Sequence, residues 1–576
     1  MTTIYHDRLQ ALRGVLSAQQ LDGVVIWRGD MFQGEEVRAC DERLAMISGF
    51  TGSAGYALIL QDKAFVLSDG RYHLQMAQQI DNDIFQWRDS APSAITDILS
   101  EQASSADGLT LGYDAQTTTL AAARRLPKQA GDTPITWRPL AENPLDSLWH
   151  DRPSVMRDKA YLLANDITGQ SSSDKLATLQ ATLADNHQDG IIISATDCVN
   201  WLFNIRGNDL ANTPFHLCFA YIPATGTPHL IEGDYDNLSS KSWQDFCASL
   251  PSGHYSIDAQ TLPMALYEGL QRDGITFTEQ ACPLYLPKAC KNAAELDGFA
   301  KAHLQDAIAV CSFWHWLEAC DDITSYHETD LVEKLQSYRA SSDGYLCDSF
   351  DTIMGSGENG AIIHYRALKN ADSLIQNNTL LLIDSGAHYK TGTTDITRTF
   401  IIGAPDDEMT TAYSAVLAGH IALAKTRFPI GTNGTALDAI CRAPLWARGL
   451  DYAHGTGHGV GHILSVHEGP SHISKRPSPA LAAGMVLSNE PGYYEAGKWG
   501  IRLENLIAIE AVQDGFLAPQ TLTFVPFESR LIDTSLLDAD ALQWLNDYHH
   551  SVYELVSPHL SADMASWLAG KCAPLS

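Results

Sequence analysis

Apolar residues along this chain first fall at helical intervals. Leu9, Leu12, Val15 and Leu16 define one face over residues 5–19. Asp22-Gly23 then leads into Val24-Val25-Ile26-Trp27, a β-rich run. The same phrase returns later. Leu176, Leu179 and Leu183 lie on one helical face, and Asp189-Gly190 leads into Ile191-Ile192-Ile193, offset by 167 positions (Asp22 to Asp189). In each copy two further apolar runs read as strands: 46–50 and 56–60 in the first, 201–205 and 217–222 in the second. The pattern predicts a duplicated α/β unit, a sheet covered by helices.

Beyond residue 293 the pattern changes. Leu296, Phe299, Leu304, Val310, Trp314 and Leu317 give residues 294–317 a wide apolar face, the mark of a core helix, and a second helix follows at 328–340. Short β runs with glycines take over at 353–357 and 361–365. Helices return at 406–427 and 435–449, and 539–569 reads as a terminal helical cap. Arg152-Pro153 interrupts the pattern after the first unit, and the second fades near Pro287 to Asn292. The expected domains are 1–155, 156–292 and 293–576, the last with a helical extension from about 515. No low-complexity linker separates them.

Composition narrows the classes. Hydrophobic residues make up 45% of the chain and charged residues 19%, a soluble globular balance. There are 38 basic and 69 acidic side chains, a net charge of −31, which argues against nucleic acid and anionic membrane surfaces as partners. The eleven cysteines form no CxxC pair or cluster and read as reduced thiols, so a cytoplasmic setting is expected. The N-terminus shows no secretory h-region, and no apolar run approaches a membrane span.

Chemistry enters where strands meet acids. Leu380-Leu381-Leu382-Ile383 runs directly into Asp384, and Asp395, eleven positions on, opens the apolar run 396–402. Burying an unpaired carboxylate is costly, so acids at such places imply a cation. The arrangement recurs. Met485-Val486-Leu487-Ser488-Asn489 ends in Glu490, and Glu504 lies in an alternating run, 501–507, with Arg502 on the same face. Between the two acid pairs stands His454-Gly455-Thr456-Gly457-His458-Gly459-Val460-Gly461. A single Asp beside Gly is ordinarily a turn residue, and a single Glu on an alternating strand ordinarily faces solvent. Four carboxylates and an imidazole in this order make a different case. Brought together, they would repel unless cations neutralised them. The oxygen-rich donor set suits Mn²⁺, with Co²⁺ or Zn²⁺ as alternatives, and carboxylates bridging two ions would hold a shared hydroxide.

These motifs resemble the metal-dependent pita-bread peptidases, and the whole chain is similar to the three-domain, cytosolic type of Xaa-Pro aminopeptidase. The resemblance runs through Ser53-Ala54-Gly55, Asp69-Gly70-Arg71-Tyr72, Trp201 to Gly207, Gly360 to Tyr365, Asp384-Ser385-Gly386, Thr394 to Thr399, His454 to Gly461, Val466 to Pro470, Asn489 to Tyr494 and Gly500 to Asn505. It implies two creatinase-like α/β domains ahead of a pita-bread catalytic domain, and two divalent ions per chain. Asp384 would chelate one ion, Asp395 and Glu504 would bridge both, and His458 and Glu490 would complete the other shell. The bridging hydroxide would attack the first peptide bond, with Glu490 shuttling the proton. His364 and His467 would hydrogen-bond substrate and oxyanion. His454 would be a further active-site histidine, Arg502 would orient the acids, and Tyr494 is a weaker candidate for support. The reaction implied is removal of the first residue from peptides with proline second, with the stretch 462–467 helping to form the proline pocket and the enzyme working as a homodimer. A prolidase acting on Xaa-Pro dipeptides shares the metal set. A non-catalytic binding protein of the same fold would be expected to have lost ligands, and none is missing here.

Overall fold

In the computed structural model, residues 2–102, 108–130, 134–155, 157–369 and 371–576 are described. Met156, at which the first domain boundary is expected, lies outside them. The chain forms two units, one of residues 1–163 with 170–284, the other of 164–169 with 285–576.

The first unit carries the repeat as two six-stranded sheets of identical plan. In one, Gly23–Trp27 pairs antiparallel with Tyr56–Leu60 and parallel with Leu109–Asp114. In the other, Gly190–Ile193 pairs antiparallel with Phe219–Pro223 and parallel with Gly253–Ile257. The outer strands repeat the same directions. A central strand buried on both faces reads as a continuous apolar run, as Val24 to Ile26 and Ile191 to Ile193 do.

The two copies also depart from the sequence reading at the same place. Residues 46–50 and 201–204 are not strands, and Ile205 belongs only to the two-residue strand Ile205–Arg206. The helices Arg43–Ser48 and Thr196–Phe203 occupy these positions, closed by Gly49 and Asn204 in left-handed conformation, with φ of 80° and 55°. Every residue from Thr196 to Phe203 except the half-buried Asp197 is buried, so no exposed polar face breaks the apolar run and its period disappears.

In the second unit the helix Ala293–Ala319 opens with a capping box, Asn292 and Glu295 each satisfying the other's backbone N–H. It packs Phe313, Trp314 and Leu317 into the main core, where the Trp314 ring lies 4.6 Å from Phe400. Of the antiparallel sheets in this unit, two position the acids singled out above. One orders Ile353–Ser356, Thr379–Ser385 and Ile396–Ile402, with Thr379–Ser385 in the centre. The other places Asn505–Val512, Val486–Asn489 and Gly457–Gly459 side by side. Residues 361–365 do not form a strand: a 3-10 turn, Gly357–Ala361, ends there. Nor is 501–507 one strand. It breaks into Trp499–Arg502, paired with Gly492–Glu495, and Asn505–Val512, with Leu503 and Glu504 between. The tail forms the helices Ala539–Val556 and Ala562–Lys571. The cysteines form no disulfide. Among the described residues no helix is long and apolar enough to cross a membrane.

Candidate metal centre

Strand pairing delivers the acids two at a time. Asp384 on the central strand of the smaller sheet pairs with Thr397 on its neighbour, and Asp395 immediately precedes Ile396, so both acids lie at one end of that pair. On the larger sheet Asn489 pairs with Asn505. Glu490, just past the first strand, and Glu504, just before the second, therefore lie at one end of theirs. Two backbone bonds join the parts: Glu504 N–H donates to Thr397 O at 3.1 Å, and Glu490 N–H donates to Thr456 O at 2.8 Å. The second bond ties the glycine-rich segment bearing His454 and His458 to the acids.

The ligand atoms of Asp395, His458 and Glu504 all lie within 4.8 Å of one another. His458 Nε2 is 3.4 Å from Asp395 Oδ2 and 3.6 Å from Glu490 Oε1. With His458 Nδ1–H given to Gly459 O at 3.0 Å, Nε2 presents a lone pair toward two carboxylates. With a neutral ring that juxtaposition is repulsive, and either a second proton on the imidazole or a cation between the groups relieves it. Asp384 supplies a second sign: Oδ2 accepts from Arg502 at 2.6 Å, while Oδ1 is buried with no hydrogen-bond partner. Proton affinities agree. Burial, then the neighbouring acids Asp395, Asp384 and Glu490, hold the Glu504 carboxyl well above its ordinary range. Burial also raises Glu490, with His458 and Arg502 opposing and Asp395 and Asp384 reinforcing. Asp384 is raised by burial against the pull of Arg502. Divalent cations reverse this pattern, since they stabilise the ionised form of each acid. The residues therefore fit two such ions.

A hydrogen-bond chain supports the acids from behind. Arg502 donates to Asp384, to Thr397 Oγ1 at 3.2 Å and to the Tyr494 hydroxyl at 2.6 Å. Tyr494 meets His454 Nε2 at 2.8 Å, and His454 Nδ1 meets Gly455 O at 2.7 Å. Burial and the Arg502 charge push the His454 pKa well below its ordinary value, so the ring is neutral. It donates from Nδ1 to the carbonyl and accepts at Nε2 from the tyrosine O–H. His454 Nδ1 also lies 3.9 Å from Glu490 Oε2.

His467 is exposed, its ring 4.3 Å from that of His458 at 81°. His364 is half-buried and acts on the charge of His454. The stretch 462–467 contributes less open surface than expected. His462 is packed with Nε2 on Thr391 O at 2.8 Å, Ile463, Leu464 and Val466 are buried, and only Ser465 and His467 have appreciable exposure.

Sequence reasoning gave no role to three residues that hold the centre. Thr397 Oγ1 donates to Glu504 Oε2 at 2.7 Å. Arg398 is buried and donates to Glu504 O at 2.7 Å, to Asn505 Oδ1 at 2.8 Å and to Tyr548 of the C-terminal helix at 3.0 Å. Arg442 donates to Asp438 at 2.8 Å and to His454 O at 2.7 Å. Thr397 and Arg398 stand inside the motif carrying Asp395, the one signal that could have found them.

Known proteins place the chain. The profile described as Metallopeptidase family M24 matches residues 297–511, and the C-terminal region of peptidase_M24 matches 515–575. Creatinase/Prolidase N-terminal domain profiles match 8–142 and 151–295. A Laccaria bicolor protein named "Probable Xaa-Pro aminopeptidase P" is 35% identical over 99% of this chain and 93% of its own length. A Pyrenophora teres protein of the same name is 35% identical over 98% and 92%. Among solved structures, the X-prolyl aminopeptidase of Caenorhabditis elegans, described as a cytosolic enzyme with a di-nuclear active site, superposes with a TM-score of 0.92 at 30% identity, covering 99% of this chain and 100% of that one. The Thermococcus sibiricus prolidase, at 23% identity and a TM-score of 0.51, shares the fold over 62% of this chain.

Proposed function

The chain belongs to metallopeptidase family M24, and from that membership we propose that it is a metalloaminopeptidase releasing the first residue of peptides whose second residue is proline. The observation that carries the reading is the convergence of Asp395, His458 and Glu504 ligand atoms within 4.8 Å beside the orphaned Asp384 oxygen. The preference for proline comes from the names of its full-length relatives. Residues 1–155 and 156–292 are two creatinase-like domains ahead of the catalytic domain 293–576.

Asp384, Asp395, His458, Glu490 and Glu504 would hold two divalent ions, Mn²⁺ by the hardness of the donor set. Bound there, such ions supply Lewis-acid polarisation of the scissile carbonyl and a nucleophile drawn from water. The residues do the rest. An Xaa–Pro amide nitrogen carries no hydrogen, so it must gain a proton before it can leave as the amine. Glu490, a carboxylate 3.6 Å from His458 Nε2, is the group that would take a proton from the attacking water and deliver it to that nitrogen. His364 and His467 hydrogen-bond the substrate and the developing oxyanion from the open side. Arg502 fixes Asp384 from behind. The enzyme works as a cytoplasmic homodimer, which sedimentation of the purified chain tests.

The deciding experiment compares a Xaa-Pro-Pro tripeptide with a Xaa-Pro dipeptide, with and without Mn²⁺. The expected result is Mn²⁺-dependent cleavage that favours the tripeptide. A strong dipeptide preference would make the chain a prolidase, and no metal-dependent cleavage would make it a binding protein.

A further inference from the structure

Glu468, next to His467, carries a carboxylate that is buried together with two lysines. Lys288 Nζ donates to its Oε2 at 2.5 Å and Lys291 Nζ donates to its Oε1, and all three residues are at most 5% exposed. Two ammonium groups on one buried carboxylate are costly to desolvate, so the triad is weak evidence of stabilisation, whereas removing one partner leaves an uncompensated buried charge. The backbone of Glu468 makes the placement informative. It pairs with Gly459, beside His458, at the register shift between the strands Gly457–Gly459 and Glu468–Ile473. One residue is thus covalently joined to His467 and strand-paired beside His458, the two rings that stand 4.3 Å apart.

The lysines are anchored in turn. Lys291 N–H donates to Gly484 O at 2.8 Å, and Cys290 bridges to Met485, at the entry to the strand that ends before Glu490. Gly461 borders the triad: a Cβ there would come within 2.7 Å of Leu464 Cβ, 2.9 Å of Ser465 O and 3.0 Å of Glu468 Oε2.

We propose that Lys288, Lys291 and Glu468 form a buried ionic clamp that sets the spacing of His458 and His467, with Glu468 as the positioning residue. The proposal rests on the two-metal peptidase reading. Its test uses the full chain loaded with Mn²⁺, with Lys291→Met, Lys288→Met and Glu468→Asp. Each lysine variant leaves one ammonium on the carboxylate, and the aspartate retracts the charge by one methylene while keeping it. The clamp predicts a fall in kcat of roughly 10–100-fold with KM changed about threefold or less, and Mn²⁺ affinity in isothermal titration weakened about tenfold. A merely structural triad would lower the melting temperature and leave both numbers unchanged per folded molecule. Folded Lys291→Met with kcat and Mn²⁺ affinity within about twofold of wild type would overturn the clamp. If Glu468→Asp does not fold, the lysine variants still decide. The affinity measurement also separates the two claims, because it reads the His458 site even if the wild-type chain cleaves no Xaa-Pro peptide.

Discussion

The two halves of the centre share a plan and differ in how their charges are met. In each, two acids lie at one end of an antiparallel strand pair. In the aspartate half, Asp384 is met by the Arg502 guanidinium at 2.6 Å. In the glutamate half, the contact that reaches Glu504 is a neutral hydroxyl, Thr397 Oγ1 at 2.7 Å. The supports are also exchanged. Arg502 belongs to the glutamate half and holds an aspartate, while Thr397 belongs to the aspartate half and holds a glutamate. Neither half can therefore be ordered without the other. Glu504 is also the carboxyl held well above its ordinary range, by burial and then by Asp395, Asp384 and Glu490, so its charged form would gain from a bound cation.

Asp395→Asn breaks the comparison most severely. It removes a carboxylate from the cluster of Asp395, His458 and Glu504. Activity should vanish and the Mn²⁺ stoichiometry by elemental analysis should fall below two, while circular dichroism stays native. Full activity in this variant would remove the two-metal reading. Arg502→Met follows. It deprives Asp384 of its cation and Tyr494 of its donor, and should lower kcat roughly 10–100-fold. Should Arg502→Met instead match wild type, the aspartate half is held by something other than this guanidinium.

The pH dependence of the metal-free protein sharpens the contrast. A carboxyl raised in the folded state binds its proton more tightly there than in the unfolded chain. Its contribution is therefore present at low pH and is lost as pH rises from the ordinary 4.5 of a glutamate toward the raised folded value. Urea unfolding of metal-free protein should give decreasing stability across that window, and Mn²⁺ should flatten the slope. A slope that Mn²⁺ leaves unchanged would locate the titrating groups elsewhere. The smallest effect is expected from Thr397→Val. It removes a hydrogen bond to a charged group worth about 1.5–3 kcal/mol and should lower activity about tenfold. If Thr397→Val costs more than Arg502→Met, the assignment of the weaker support to the glutamate half is wrong.

Much of this was legible along the chain. The repeat at Asp22-Gly23 and Asp189-Gly190 foretold two sheets of one plan, because both copies keep a central apolar strand after a glycine turn. The failures at 46–50 and 201–205 have one cause: a short helix with all but one residue buried loses the period that distinguishes it from a strand. The break at Leu503 and Glu504 escaped because alternation continues through it in the sequence, while the strand pairing does not.

The sequence by itself determined which residue types could meet a cation. Acids at the ends of apolar runs and a histidine among glycines are choices of composition and local order, and they bear the family resemblance. Only the tertiary structure decided how those residues are held. Arg502 reaches Asp384 across 118 positions, Thr397 reaches Glu504 across 107, and Lys288 reaches Glu468 across 180. The physical reason is that a buried charge takes its partner from whatever segment packs beside it, and local sequence does not record which segment that will be.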